Sequence, residues 1–320
     1  MSTPALPSFV TALEHGLYAI DTGFQRPAFD AAYLVVDAGR CAFIDTGTRL
    51  AVPRLLATLQ ALELAAEQVD WIIPTHVHLD HAGGVGDLLT HLPNAKVLVH
   101  PRGARHLQDP TMLWQGALAV YGETEMQQSY GGITPVPADR LMSSHDGLQI
   151  PVGARQLSLI DTPGHARHHH CIWCPVSRSW FTGDTFGLSY REFDLNGQAW
   201  IIPTTTPVQF EPDALKASIT RLLAAQPDHV CLTHYGQLGD VARLGASLLG
   251  QIDELVAQAH IVNNTAKEDR HQALRDMLAR IWLRRLREHG HTADEATLLH
   301  LLAMDIELNA QGLGIWLDRT

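Results

Sequence analysis

Apolar positions in the first hundred residues fall in short blocks separated by turn residues. "GLYAI" (16–20), "AAYLVV" (31–36) and "CAFID" (41–45) are runs of strand length bounded by Gly, Asp and Arg, and they predict three strands. The period then changes. In "RLAVPRLLATLQALEL", Leu55, Leu56, Leu59 and Leu62 stand at helical spacing, and Pro53 is compatible with a helix only in its first turn. "WIIPT" (71–75) reads as a brief buried strand, "VGDLLTHL" as a short helix and "AKVLVH" (95–100) as another strand. Alternating strands and helices predict a layered α/β architecture.

Residues 108–140 break this rhythm: Met112, Trp114, Leu118, Val120, Tyr121, Met126 and Tyr130 follow no clean period. The stretch reads either as a long connection packing its aromatics on the core or as a lid or pocket wall. A second strand series begins with "RQLSLIDTPGH" (155–165), "HCIWCPV" (170–176) and "SWFTGD" (179–184). A helix over 212–225 follows, with Pro212 suited to its first position, and then the strand "HVCLTHYG" (229–236). The last sixty residues are helical in pattern, with Leu274, Met277, Leu278, Ile281, Trp282 and Leu286 on one face. Thr292 and Glu295 have the spacing of a capping box. Together these elements predict a main domain over 1–258, with an insertion at about 108–140, and a helical extension over 259–320.

Composition narrows the function classes. The formal charge of −11 argues against a nucleic-acid surface and against attraction to anionic membranes. Residues 261–320 hold eight basic and nine acidic residues, so no basic arm is hidden there. No apolar run approaches the ~18 residues needed to span a bilayer. "MSTPALPSFVTALEHG" has neither the basic start nor the continuous apolar segment of a secretory leader. Four cysteines do not make a disulfide framework, so the expectation is a cytoplasmic protein with reduced thiols. Cys171 and Cys174 form a CxxC, but a strand points them to opposite faces, against a redox or zinc role.

Nineteen histidines are the outlier. Three of them crowd with an aspartate into "THVHLDHAGG" (75–84), where a strand runs into a loop. His76 and His78, two apart in extended chain, project the same way and can hold one ion. Asp80 and His81 lie past the turn and can face a second, with Gly83 and Gly84 letting the backbone bend behind them. Neutral imidazole mixed with carboxylate suits zinc and similar ions. Three further strand ends carry ligand types: His165 in "DTPGH", Asp184 in "FTGD" and His234 in "CLTHYG". In layered α/β proteins strand ends gather at one edge, where catalytic loops collect. A strand-end histidine is commonly a hydrogen-bonded loop residue; the three together with the cluster are harder to explain that way.

"HVHLDH", then "TPGH", "TGD" and "THYG", after an early "FIDTG", resembles the metallo-β-lactamase-fold hydrolase superfamily from about residue 15 to 240. The resemblance implies a four-layer αββα sandwich, an α/β fold with a catalytic domain over 1–258 and the C-terminal helices as an extension. It also implies two divalent metal ions, zinc first with iron or manganese as alternatives. His76, His78 and His165 would hold the first ion, Asp80, His81 and His234 the second, and Asp184 would bridge both. Asp45 matches the family's early aspartate, which supports the ligand loop. His169 falls where similar proteins keep a further histidine, implying a supporting role. An aspartate at 184, where the best-known β-lactamases carry cysteine, disfavours antibiotic hydrolysis and resembles glyoxalase II, lactonase, thioesterase and phosphodiesterase members.

Two such ions lower the pKa of a shared water toward ~7, giving a hydroxide that attacks a carbonyl or phosphoryl centre. The expected reaction is hydrolysis of a small ester, thioester or lactone, with Asp80 able to protonate the leaving group. Tyr190 and Tyr235, near Asp184 and His234 in sequence, are candidate donors to the oxyanion; packing as ordinary aromatics is the alternative for both. His168 and His170 read as surface or strand residues, and His100, His106, His145 and His229 fit no pattern of partners. Phosphodiesterase or nuclease chemistry would use the same ions but needs a basic groove, which the charge balance does not favour. A metal-holding regulatory protein without turnover would have lost a ligand, whereas every position is filled. The expected partner is a small-molecule substrate, with no nucleic acid and no membrane. Apolar "GLGIWL" near the C-terminus predicts a buried contact within one subunit or in a homodimer.

Overall fold

A computed structural model describes residues 6–205 and 208–320. The first five residues, part of the stretch read for a leader, lie outside the described residues. The strands are β1 (Val10–Ala12), β2 (Leu17–Asp21), β3 (Ala31–Asp37), β4 (Arg40–Ile44), β5 (Val69–Ile73), β6 (Lys96–Val99), β7 (Leu141–Ser143), β8 (Gln149–Val152), β9 (Arg155–Asp161), β10 (His170–Cys174), β11 (Ser179–Gly183), β12 (His229–Leu232) and β13 (Gly236–Leu238). The helices are α1 (Val52–Ala61), α2 (Leu79–Ala82), α3 (Val85–Thr90), α4 (Pro101–Gln108), α5 (Thr111–Tyr121), α6 (Glu123–Glu125), α7 (Pro212–Ala224), α8 (Val241–Val262), α9 (Lys267–His289), α10 (Glu295–Leu301) and α11 (Ala303–Leu317). No helix among the described residues is long and apolar enough to cross a membrane.

The chain divides into two compact units. One runs through Asp161 and adds His168–Gly183 and Pro227–Gly239; it holds both sheets. β1 to β7 form a seven-stranded sheet in chain order, and β8 to β13 a six-stranded sheet, also in chain order. Strand β3 shows how the sequence builds the layers. Its alternate residues Ala31, Tyr33 and Val35 join a core made with Ile150, Leu157, Leu159, Ile172 and Phe181 of the other sheet. Ala32 and Leu34 face the opposite way, into a core with Leu55 and Leu59 of α1, Leu88 of α3 and Leu107 of α4. A strand buried on both faces reads as a continuous apolar run, as "AAYLVV" does. Each such fully buried aliphatic side chain contributes roughly 1.5–3 kcal/mol.

Two contacts between the sheets set the working edge. Tyr33 Oη donates to the Leu232 carbonyl at 2.5 Å, and the Ala31 N–H donates to the Thr233 carbonyl at 2.8 Å. The start of β3 is thereby tied to the end of β12. β4 and β5 are parallel, with Ile44 opposite Ile73, so both release their chains at the same edge. β11 and β12 are likewise parallel, with Gly183 opposite Leu232.

The other unit comprises Thr162–Arg167, Asp184–Gln226 and Asp240–Thr320. Its core includes Leu215 and Ile219 of α7, Leu248 and Leu255 of α8, and all six residues of the stripe read on α9, Leu274 to Leu286. "GLGIWL" lies within α11, where Gly312, Leu313, Trp316 and Leu317 are buried inside the chain itself.

Three expectations need correction. The boundary placed between 258 and 259 falls inside α8, a continuous helix whose buried face runs from Val241 to Ala259. Residues 108–140 are substantially helical; in α5 Leu113, Trp114, Ala117 and Leu118 form a half-buried stripe, but Met112, Val120 and Tyr121 are exposed, and apolar residues on both faces blur the period. The cap of α10 is Asp294, not Thr292: its carboxylate accepts from the Thr297 N–H at 2.9 Å, as an N-cap does with the third helical residue.

Candidate metal centre

The edge between β4 and β5 assembles the first part of the site. Asp45 leaves β4 directly, and its N–H donates to the Ile73 carbonyl, so its carboxylate sits under the loop that leaves β5. There it accepts from the Thr75 N–H at 2.6 Å and from Thr75 Oγ1 at 3.0 Å. Thr233 Oγ1 donates to it from the end of β12 at 2.7 Å, and His81 Nδ1 lies 2.9 Å from Oδ2. A side chain 1% exposed thus has both oxygens engaged, which fits the loop-supporting role expected of it.

His76 and His78 come together as the two-residue spacing required, with Nε2 of one 2.8 Å from Nδ1 of the other. His169 stacks on His76, ring centroids 4.8 Å apart. Asp80 and His81 lie on the short helix α2, and with His234 they offer ligand atoms within 4.8 Å of one another. Asp80 is the partly exposed member of that trio, at 25% of its side chain. Gly83 and Gly84 do not make a left-handed bend; their dihedral angles are helical. Gly84 is small for another reason, since a Cβ there would stand 3.0 Å from the Thr48 carbonyl oxygen.

In the second unit, His165 and Asp184 face each other, Nε2 to Oδ2 at 3.4 Å. Both are buried. Thr204 links them: its Oγ1 donates to the Asp184 carbonyl at 3.0 Å and lies 2.9 Å from His165 Nδ1.

Hydrogen-bond partners fix the tautomers. The Phe29 carbonyl, 3.1 Å from His234 Nδ1, can only accept, so that nitrogen carries the proton. The Asp45 carboxylate fixes His81 the same way. Thr204 gives its one proton to Asp184, so it accepts from His165 Nδ1–H. In the neutral imidazole each Nε2 then carries the lone pair. His234 and His81 point theirs at Asp80 Oδ2, 3.4 and 3.8 Å away, and His165 points its own at Asp184. Lone pairs set against carboxylates repel, and a cation between them reverses the sign. The residues fit divalent metal ions, with the far nitrogen of each imidazole oriented by an acceptor.

Other expectations resolve differently. Tyr190 is 1% exposed and its hydroxyl lies 3.0 Å from Asp305 Oδ1, the packed-aromatic alternative. Tyr235 is half-buried against the inter-sheet core. Cys174 faces that same core while Cys171 Sγ meets the Thr182 carbonyl, so the CxxC splits across the strand. His170 is the strand residue of the two, opening β10, and His168 is not at the surface; both are buried, and burial pushes each imidazole down to about 3. His170 Nε2 donates to the Pro74 carbonyl at 2.9 Å and its Nδ1 accepts from Ser144 Oγ, pinning the start of the ligand loop. His100 is likewise partnered, to Asp161 at 3.1 Å. Asp30, unmentioned by any motif, is fully buried and pushed up to about 7 by that burial, with His234 and His81 working in the other direction.

A family description, the metallo-beta-lactamase superfamily, matches residues 25–234, a span that contains all seven expected ligands. The chain belongs to this superfamily. It is 30% identical over 226 residues to the metallo-beta-lactamase fold-containing protein ST1585 of Sulfurisphaera tokodaii, covering 69% of this chain and 78% of that one. Similarity to the hydroxyacylglutathione hydrolase of Salmonella typhi is 31% over 162 residues, 50% of this chain and 49% of that relative, about half the length of each. Among solved structures, the metallo-beta-lactamase family protein TTHA1429 of Thermus thermophilus superposes with a TM-score of 0.67 at 20% identity, over 96% of this chain and 95% of that one, a likeness of fold. The α/β sandwich expected for a superfamily member, with C-terminal helices added, is the fold of this chain.

Proposed function

We propose that this superfamily member is a dinuclear metal-dependent hydrolase of a small ester, thioester or lactone. His76, His78 and His165 would hold one ion, Asp80, His81 and His234 the other, with Asp184 available to both. The carrying observation is the set of imidazoles whose Nδ1–H is committed to an acceptor while Nε2 faces a carboxylate. Supporting it, the family match spans every one of these residues.

Bound there, two divalent ions, zinc first and iron or manganese as alternatives, would supply Lewis acidity that ionises water near neutral pH. The chain's own contribution is orientation and proton handling. Asp45 and Thr204 hold imidazoles in the ligating tautomer. Asp80, partly exposed beside buried partners, is placed to meet an incoming substrate and to carry a proton to its leaving group. The partial relatives named hydroxyacylglutathione hydrolase act on an acylated thiol, which favours the thioester arm of the reading. The charge of −11 disfavours a polyanionic phosphodiester.

Protein loaded in turn with Zn, Mn and Fe is assayed on p-nitrophenyl esters, acyl thioesters, homoserine lactones and bis-p-nitrophenyl phosphate. Turnover of the first three classes above the phosphodiester is expected. Fully metallated protein that turns over none of them would overturn the proposal.

A further inference from the structure

Helix α11 belongs to the C-terminal extension, yet its Asn309 reaches the segment that holds His165 and Asp184. Asn309 is fully buried. Its side-chain carbonyl accepts from the Thr205 N–H at 2.5 Å and from Thr205 Oγ1 at 2.7 Å. Its amide donates to the Asp305 carbonyl at 2.7 Å, one turn back along α11, so both ends of the side chain are fixed. The residue preceding Thr205 is Thr204, which accepts from His165 Nδ1–H and donates to the Asp184 carbonyl. The path is short and continuous: Asn309, Thr205, Thr204, then His165 and Asp184.

We infer that Asn309 is a positioning residue for the metal centre, acting through the Thr204–Thr205 segment to fix the His165 tautomer and the placement of Asp184. Gln251 of α8 adds to the same arrangement by donating to the Ile201 carbonyl at 2.8 Å, three residues before Thr204. The extension is then part of the site's construction rather than an appendage. A buried amide that satisfies a backbone N–H and a hydroxyl at once holds a single geometry, because any displacement leaves a buried donor unpaired. Partners that bond a ligand directly, as Thr204 does, typically change metal affinity 10–100-fold when removed, and a residue acting through them changes it less.

The inference rests on the proposed metal site, and its test separates the two. Zn affinity is measured by chelator competition, and Co(II) absorption is recorded, for the wild-type chain, Asn309→Ala and Leu313→Ala. Leu313 is as deeply buried on α11 but lies outside the path, so it reports a general loss of packing. Unfolding of each metal-free protein is followed in parallel. Expected for Asn309→Ala is an affinity weakened several-fold to about 10-fold, most for the ion assigned to His165, with an altered Co(II) spectrum, while Leu313→Ala keeps the wild-type affinity. If Asn309→Ala does not fold, Thr205→Val, which deletes only the hydroxyl link, replaces it and should weaken the same ion at least several-fold. Two ions bound with wild-type affinity by either variant overturns the inference alone, as does an equal loss in Leu313→Ala. A wild-type chain that binds no ion overturns the proposed site and this inference with it.

Discussion

His81 and Asp45, thirty-six positions apart in the chain, meet inside the first unit with Nδ1 2.9 Å from Oδ2. The contact joins the loop after β4 to the helix α2 that carries Asp80. It orients a ligand of the proposed site, and the same carboxylate also holds Thr75 and Thr233. Asp45→Ala should therefore act on both metal and fold. Zn affinity is expected to fall 10–100-fold. Stability should fall by about 3 kcal/mol, because several buried donors lose their acceptor. Chelator competition and urea unfolding measure the two effects. Complete loss of activity with unchanged metal affinity would contradict this role.

Much of this arrangement is legible in the sequence because ligand chemistry is local. His76, His78, Asp80 and His81 lie within six positions, and the parallel strands that end beneath them are plain apolar runs. The supporting contacts are not local. Asn309 reaches Thr205 over 104 positions and His170 reaches Pro74 over 96, and nothing in a threonine or a histidine announces such a partner. Tyr190 misleads for the same reason: its neighbour in sequence is Asp184, but its hydrogen-bond partner is Asp305. α5 is hidden from periodicity because its exposed face carries Met112, Val120 and Tyr121 opposite the half-buried Leu113, Trp114 and Leu118.

Asp184 is the residue assigned to both ions, so Asp184→Ala should lower metal content and rate together. The loss should exceed the roughly 10–100-fold typical of a supporting partner. Metal-to-protein ratio by elemental analysis and kcat/KM on the best ester are the readouts. Two tightly held ions in the variant would remove Asp184 from the bridging position.

Gly164 explains the glycine of "DTPGH". Its φ is +130°, and a Cβ there would lie 2.2 Å from the backbone nitrogen of Leu215 on α7. Gly164→Ala must therefore move α7 or the turn that carries His165. The Gly164 carbonyl also accepts from the Glu211 N–H at 2.8 Å, so the turn cannot shift alone. A stability loss of about 1–3 kcal/mol from backbone strain is expected, with metal affinity reduced through His165. Wild-type values of both in the variant would show that the approach relaxes without cost.

The buried histidines make the fold sensitive to acid. Burial holds His170 down to about 3, whereas its unfolded value is near 6.5. Between those values the unfolded chain binds a proton that the folded chain refuses. The stabilising contribution is therefore complete above pH 6.5 and is lost progressively as pH falls toward 3, at up to about 1.4 kcal/mol per pH unit. His168, also pushed down to about 3 by burial and by neighbouring histidines, works in the same direction. Asp30 opposes them: raised to about 7, it contributes most below pH 3.8 and loses that contribution as pH rises through 7. A difference between variants isolates the imidazole. Metal-free wild-type chain and His170→Gln, unfolded in urea from pH 7 to pH 4, should differ most at pH 7 and converge at pH 4. Parallel lines across that range would mean that His170 does not titrate on unfolding, and that its bond to Pro74 is all it contributes.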